Sequence, residues 1–161
     1  MKPAQHPTAL RIAQLVNDAG IESQVVEFEQ TTRTSAEAAA AVGCEVAQIA
    51  KTIVFRGKTS GLAVVVVASG ANRVGEKKVE ALVGEALGRA DADFVRDATG
   101  FAIGGVAPVG HTKPIKMLLD EDLRQFESIW AAGGTPFAVF PLTPAQLRDL
   151  TRAEWADVKA S

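Results

Sequence analysis

The chain has 161 residues, of which 47% are hydrophobic and 22% are charged, a composition that predicts one domain over residues 1–161 with a full core. A formal net charge of −2 and a pI near 5.7 exclude the strongly basic surface of a general polyanion binder, so DNA is not an expected partner. No apolar run approaches the roughly 20 residues that cross a bilayer, and the one cysteine, Cys44, cannot form an internal disulfide, so we expect a cytoplasmic protein without a membrane partner.

Two helices and a short strand are predicted near the N-terminus. Apolar residues recur at helical spacing over residues 8–19, and residues 24–28 are a strand candidate. Thr34 or Ser35 can cap a second, alanine-rich helix, which Gly43 ends. The small side chains of this helix would allow other elements to approach it closely.

The clearest hairpin joins residues 49–56 to residues 62–68 through a KTSG turn. The second strand, LAVVVVA, is apolar on both faces, which is typical of a central strand. Alternation in the first strand places Lys51 on the same face as three large apolar residues, Ile49, Ile53 and Phe55. An ammonium in that position must reach solvent from the strand end, form an ion pair, or line a pocket that receives an anion.

Short helices and strands continue irregularly through the rest of the chain. The predicted helices cover residues 76–83, 91–98 and 143–150, and the predicted strands cover residues 115–119, 128–132, 137–140 and 155–158. Arg73, Lys77 and Lys78 are interpreted as a solvated face, with phosphate contact as the alternative. Six or seven strands without regular βαβ alternation predict an α+β fold around one mixed sheet.

A glycine-rich stretch, TGFAIGGVAPVGH, covers residues 99–111 and contains four glycines and Pro108. Adjacent glycines after an apolar run, followed by a proline, predict a strand that ends in a rigid loop with exposed backbone. Bare N–H and C=O groups are useful where a ligand approaches the main chain closely. The alternative is an ordinary glycine-rich turn between two strands.

The sequence lacks the motifs of several catalytic classes. It contains neither HExxH nor CxxC, and only His6 and His111 offer an imidazole, so we expect no metal. There is no GxSxG nucleophile elbow and no dinucleotide-binding glycine fingerprint, so no organic cofactor is expected either. An enzyme with this inventory must rely on lysine, on backbone groups and on groups of the substrate itself.

Three segments together resemble the YbaK/prolyl-tRNA-synthetase-associated tRNA-editing domains. They are QIAKTIVFR, which carries Lys51, LAVVVVASG, and the glycine-rich stretch, and the resemblance extends over residues 34–150. It implies a mixed, barrel-like β-sheet flanked by short helices. It also implies a free-standing deacylase that acts in trans on mischarged tRNA, most often proline tRNA. The implied partners are the tRNA 3′ acceptor end and prolyl-tRNA synthetase.

The same resemblance implies roles for individual residues. Lys51 would hold the 3′-terminal nucleotide, and Gly104, Gly105 and Pro108 would form the loop around the aminoacyl group. N–H groups at the two glycines would stabilise the oxyanion, a contribution of about 3–4 kcal/mol per donor. Strand parity predicts an apolar pocket wall made of Ile49, Ile53, Val66, Phe101, Ile103 and Val106. His111 would face the pocket mouth, unless it is a loop histidine that binds the backbone.

One departure from the family pattern bears on the substrate. The branch that removes cysteine has a Ser-Ala-Gly run in a late strand, where this chain has Ala131, Ala132 and Gly133. We therefore expect alanine or another small aliphatic amino acid on proline tRNA. Phosphate contacts are expected from Arg56, Lys58, Lys113 and Lys116. The alternative functions are a non-catalytic module that binds aminoacyl-tRNA or a synthetase, and an esterase acting on small metabolites.

Overall fold

The structure, a computed structural model, describes residues 1–30, 32 and 34–161, and these residues form nine strands and five α-helices. The strands are β1 (Lys2–Pro3), β2 (Val26–Glu27), β3 (Ile49–Gly57), β4 (Ala63–Ser69), β5 (Leu87–Arg89), β6 (Lys116–Asp120), β7 (Ile129–Ala132), β8 (Ala138–Leu142) and β9 (Glu154–Ala156). The helices are α1 (Pro7–Asp18), α2 (Ser35–Val42), α3 (Glu76–Val83), α4 (Ala92–Thr99) and α5 (Pro144–Thr151). This architecture confirms the predicted α+β fold.

All strands belong to one mixed sheet with the order β1-β2-β8-β7-β3-β4-β6-β9, and β5 pairs with the end of β3. The β3–β4 pair is antiparallel, whereas β4–β6, β6–β9 and β3–β7 are parallel. Every residue of β4 is buried, because β3 and β6 cover its edges and apolar clusters cover both its faces. The valine run therefore occupies the central position that its composition predicted.

Two strands were not predicted from the sequence. β1 has two residues and β5 has three, which is too short for a period-2 pattern to be recognised. Each exists because a distant partner supplies its hydrogen bonds: β1 pairs with β2, and β5 pairs with residues 55–57 of β3. Their existence is a product of tertiary pairing.

Helix α2 begins and ends at the expected signals. The side chain of Thr34 accepts a hydrogen bond from the N–H of Glu37 at the start of α2, and Gly43 ends that helix with φ +79°. Ala38 and Ala39 of α2 pack on Ile49, so this helix lies close to the start of β3. Within the described ranges, no helix combines the length and apolar character needed to cross a membrane.

Glu85 ties the β3–β4 turn to the sheet. Its side chain is 2% exposed and its carboxylate accepts hydrogen bonds from the N–H and Oγ of Ser60 and the N–H of Thr59, at 2.8–3.0 Å. The Lys116 ammonium lies 2.5 Å from Oε2. Lys116 and the Ser60 N–H lower the pKa of Glu85 from 4.5 to about 2. The ionised carboxylate is thus the form that the fold stabilises.

We expect Glu85→Gln to lower the free energy of unfolding at neutral pH, because an amide nitrogen cannot accept the bonds that one carboxylate oxygen accepts. Since the pKa of Glu85 is lower in the folded chain than in the unfolded one, its stabilisation is present above about pH 4.5 and is lost as the pH falls towards 2. Urea unfolding at several pH values should show the difference between wild type and variant narrowing below about pH 4.5. The exposed Glu127→Gln is the control, and an equal effect of both variants would contradict this role.

Candidate active site

A gap in the sheet lies beside the middle of β3. β4 covers one edge of that strand, but on the other edge β7 pairs only with residues 49–50 and β5 only with residues 55–57. Ile49 and Gly57 form their backbone hydrogen bonds on the β4 side. The backbone N–H and C=O groups of successive strand residues point to opposite edges of the strand. Those of Thr52 therefore point into the gap, where Thr52 has no partner strand among the described residues.

A cavity of about 360 Å³ opens at this gap, a volume within the range of about 300–1,000 Å³ that is common for small-molecule sites. Its walls come from the start of α2, from β3, from the glycine-rich loop, and from β7, β8 and the turn between them. Many of the lining side chains are small: Ala38, Ala50, Ala131, Ala132 and Ala138. Of the lining residues that the structure describes, Lys51 is the only charged one.

Lys51 borders this cavity and also a groove on the same face of β3. Its ammonium forms no ion pair or hydrogen bond with any described residue. Burial lowers the pKa of Lys51 below its ordinary value of 10.5, and the negative charge of Asp120 opposes that shift. A half-buried ammonium without a partner is suited to binding an anionic group of a ligand.

Asp120 is the carboxylate whose charge acts on Lys51. It is 1% exposed, and its Oδ2 accepts from the Ser69 N–H and from Asn72 Nδ2, both at 2.9 Å, while Oδ1 accepts from the Asp122 N–H at 3.0 Å. Through the bond from Asp122, Asp120 caps the short helical segment Glu121–Gln125. The electrostatic effect on Lys51 was not predicted, although an acidic residue at the end of an apolar strand was a visible signal.

The two adjacent glycines of the loop have different environments. Gly104 lines the cavity, has φ +85°, and its N–H has no hydrogen-bond partner within the described ranges. Gly105 does not line the cavity, and its N–H donates to the Ala102 C=O at 3.0 Å. A Cβ on Gly105 would lie 2.6–2.8 Å from backbone atoms of Thr135 and Pro136. The Gly105 N–H, which was predicted to bind the oxyanion, is thus engaged by the Ala102 C=O in this structure, and the absence of a side chain at Gly105 allows two backbone segments to pack closely.

The predicted pocket wall is only partly assembled at the cavity. Ile49, Ile53 and Val106 line it. Val66 shares the Lys51 face but is fully buried with Val79, because α3 covers that part of the sheet. Phe101 is 1% exposed in the main core, beneath the loop, and Ile103 is 57% exposed. Parity along a strand identified the face, but it could not show which part of that face a helix covers.

Pro108 and His111 lie in a separate depression near the start of β6. The His111 Nε2 is 2.8 Å from the C=O of Ala107, and its ring meets Phe101 edge-on with centroids 5.8 Å apart. Burial lowers the pKa of His111 below 6.5, with the nearby Arg11 acting in the same direction. His111 is therefore a loop histidine bound to backbone, which was the alternative interpretation.

Sequence reasoning missed several lining residues. Thr34 and Ser35 were predicted only as helix caps, yet they line the cavity together with Thr135 of the β7–β8 turn. Thr52 also lines it, and its buried Oγ1 has no hydrogen-bond partner among the described residues. Hydroxyl-bearing residues that line one cavity together with a lysine and small apolar side chains can position a polar, anionic ligand and a water molecule.

Comparisons with known proteins agree on one family. The sequence profile of the aminoacyl-tRNA editing domain matches residues 29–150. The uncharacterized protein YwhH of Bacillus subtilis (strain 168) is 31% identical over 138 residues, 85% of this chain and 87% of that protein. EbsC of Enterococcus faecalis (strain ATCC 700802 / V583), described as a candidate Cys-tRNA(Pro)/Cys-tRNA(Cys) deacylase, is 29% identical over 133 residues, 77% of this chain and 76% of that protein. The crystal structure of a candidate trans-editing enzyme for prolyl-tRNA synthetase has a TM-score of 0.91 and 46% identity, covering 98% of this chain and 100% of that one.

Proposed function

We propose, since this chain belongs to the aminoacyl-tRNA editing domain family, that it is a deacylase that hydrolyses the ester bond of mischarged tRNA. The observation that carries the proposal is the Lys51 ammonium, which has no ion-pair partner among the described residues and lies on a cavity wall whose other described residues are uncharged. The 3′ end of an aminoacyl-tRNA combines a phosphate with a small acyl group, and this wall offers one cation beside small apolar side chains. We further propose that the chain acts in trans, with prolyl-tRNA synthetase as a partner.

Lys51 would bind the phosphate of the terminal nucleotide and so hold the ester in the cavity, where orientation itself accelerates the reaction. A water oxygen then attacks the ester carbonyl carbon, assisted by the terminal ribose hydroxyl. The N–H of Gly104 is the proposed donor to the developing oxyanion. The ester C–O bond breaks, the ribose oxygen leaves with a proton from the water, and the free amino acid is released.

Selectivity is proposed to come from the size of the cavity and the chemistry of its walls. Ala131 and Ala132 line it where the cysteine-removing branch has serine and alanine, so this wall carries no serine hydroxyl. One methylene group changes the binding free energy in an apolar pocket by about 1–3 kcal/mol. A synthetase therefore cannot fully reject an amino acid that is slightly smaller than its own substrate. The proposed substrate is therefore proline tRNA that carries alanine or another small aliphatic amino acid.

A deacylation screen tests this proposal. On proline tRNA charged with alanine, cysteine, proline or aspartate, we expect kcat/KM for the alanyl ester to exceed that for the prolyl ester by at least about tenfold. A preference for aspartate would contradict the proposed cavity selectivity. Failure to hydrolyse any charged tRNA would favour a non-catalytic binding module, and equal hydrolysis of a free alanyl ester without RNA would favour a small-molecule esterase.

A further inference from the structure

A second groove begins where the cavity ends. Lys51, Ile53 and Phe55 occupy alternate positions on one face of β3, and the segment of residues 71–74 faces them across the groove. Lys51 and Ile53 also line the cavity, so the two spaces meet at Lys51. A ligand held by Lys51 can therefore place one end in the cavity and extend the other along this groove.

Two arginines add positive charge to that of Lys51 at this groove. Arg73 lines it and is exposed, and it forms no ion pair with any described residue. Arg89 of β5 is exposed, lies directly opposite Phe55, and so shares its face. By contrast, the predicted phosphate ligands Lys113 and Lys116 are paired with Asp97 and Glu85. Arg73 and Arg89 thus place positive charge that has no ion-pair partner among the described residues near Phe55.

The backbone that carries Arg73 is held in place. Asn72 Nδ2 donates to Asp120 Oδ2 at 2.9 Å and to Asp122 Oδ2 at 2.8 Å. The C=O of Arg73 accepts from the Ala160 N–H at 2.8 Å, and Val74 forms a β-bridge with Lys159. Only the arginine side chain remains to be ordered when an anion binds, which lowers the entropic cost of that contact.

We propose that this groove binds the unpaired nucleotides that precede the aminoacylated one at the tRNA 3′ end. The inference rests on the proposed function for the identity of the ligand. Arg73 contacts a phosphate of that single strand, Arg89 adds to the positive field, and Phe55 offers its ring face to a base. A charged groove with an aromatic face is the general arrangement for binding single-stranded nucleic acid. The sequence pattern indicated a solvated face for Arg73 with phosphate contact as the alternative, and it could not decide between the two because the proximity of Arg73 to Phe55 depends on the fold.

Fluorescence anisotropy with two labelled RNAs tests the proposal on the full chain. One is an acceptor-stem minihelix that ends in CCA, and the other is the same minihelix without those three nucleotides. We expect Arg73→Gln and Phe55→Leu each to weaken binding of the CCA-ended RNA about tenfold. Arg73→Gln should also reduce the slope of log K against log salt by about 0.7. Neither variant should change binding of the shortened RNA.

Arg96→Gln is the matched control, because Arg96 is an exposed arginine on α4, which packs against the opposite face of β4. Equal affinities of the Arg73 and Arg96 variants for the CCA-ended RNA would overturn the proposal. So would a loss of affinity on Phe137→Ser without one on Phe55→Leu, since Phe137 is a 41% exposed aromatic residue that directly follows Pro136 of the cavity wall. If RNA binding depends on Arg73 but the protein hydrolyses no aminoacylated tRNA, the proposed RNA-binding groove is supported and only the proposed deacylase function is refuted.

Discussion

Replacing Lys51 with alanine is expected to lower kcat/KM for hydrolysis of alanyl-tRNA(Pro) at least about 100-fold, with little change in stability. The ammonium is the only charge among the described lining residues, so its loss removes the contact that positions the ester. The side chain forms no hydrogen bond or ion pair with the described residues, so the fold loses little when it is truncated. Single-turnover deacylation and urea unfolding measure the two effects separately.

The control is Lys2→Ala, which removes an exposed lysine from β1 and should leave hydrolysis unchanged. Hydrolysis at the wild-type rate by the Lys51 variant would refute the proposed role of the ammonium.

A pH titration adds an independent measurement. Burial lowers the pKa of Lys51 below 10.5, so this side chain loses its proton at a lower pH than a solvent-exposed lysine does. The affinity for tRNA without an attached amino acid should therefore weaken at that lower pH. Lys51→Arg should retain binding over that range, since a guanidinium stays charged.

Gly105→Ala is expected to be more disruptive than the same substitution at the adjacent Gly104. The added Cβ would lie 2.6 Å from the Thr135 carbonyl carbon and 2.8 Å from the Pro136 nitrogen. Both are backbone atoms, so no side chain can rotate away and one segment must move. We expect the free energy of unfolding to fall by about 2–3 kcal/mol. Displacement of the adjacent cavity wall should reduce kcat/KM by about 100-fold.

Gly104→Ala is the matched control, because it places the same methyl group one residue earlier. Nothing lies within 4 Å of its added Cβ, so the cost comes only from φ +85°, which is about 1–2 kcal/mol for a residue with a side chain. Urea unfolding of both variants, with circular dichroism to confirm folding, measures the difference. If the Gly104 variant is the less stable of the two, close packing on the β7–β8 turn is not the reason that position 105 requires a glycine.

The strand face that carries Lys51 and the central strand of the sheet could be predicted from local patterns. The position of Lys51 followed from period-2 alternation, and the central place of β4 followed from its valine run, since both depend on residues within one hairpin. The second histidine was harder to interpret. His111 lies in the loop that lines the cavity, yet its ring contacts the Ala107 C=O and lines a separate depression. No local sequence pattern shows whether such a ring turns towards the cavity or towards the backbone.

The sequence by itself determined the fold class, the hairpin, the face that carries Lys51, and the glycine-rich loop, because helix caps, alternation and turn residues act over a few positions. Only the tertiary structure decided that β7 and β5 each pair with one end of β3 and leave the gap at Thr52. It likewise decided that α3 covers Val66, that Gly105 packs on Thr135, and that Arg73 lies across a groove from Phe55. These arrangements join segments many residues apart, and long-range pairing and packing leave no periodic signal in either segment alone.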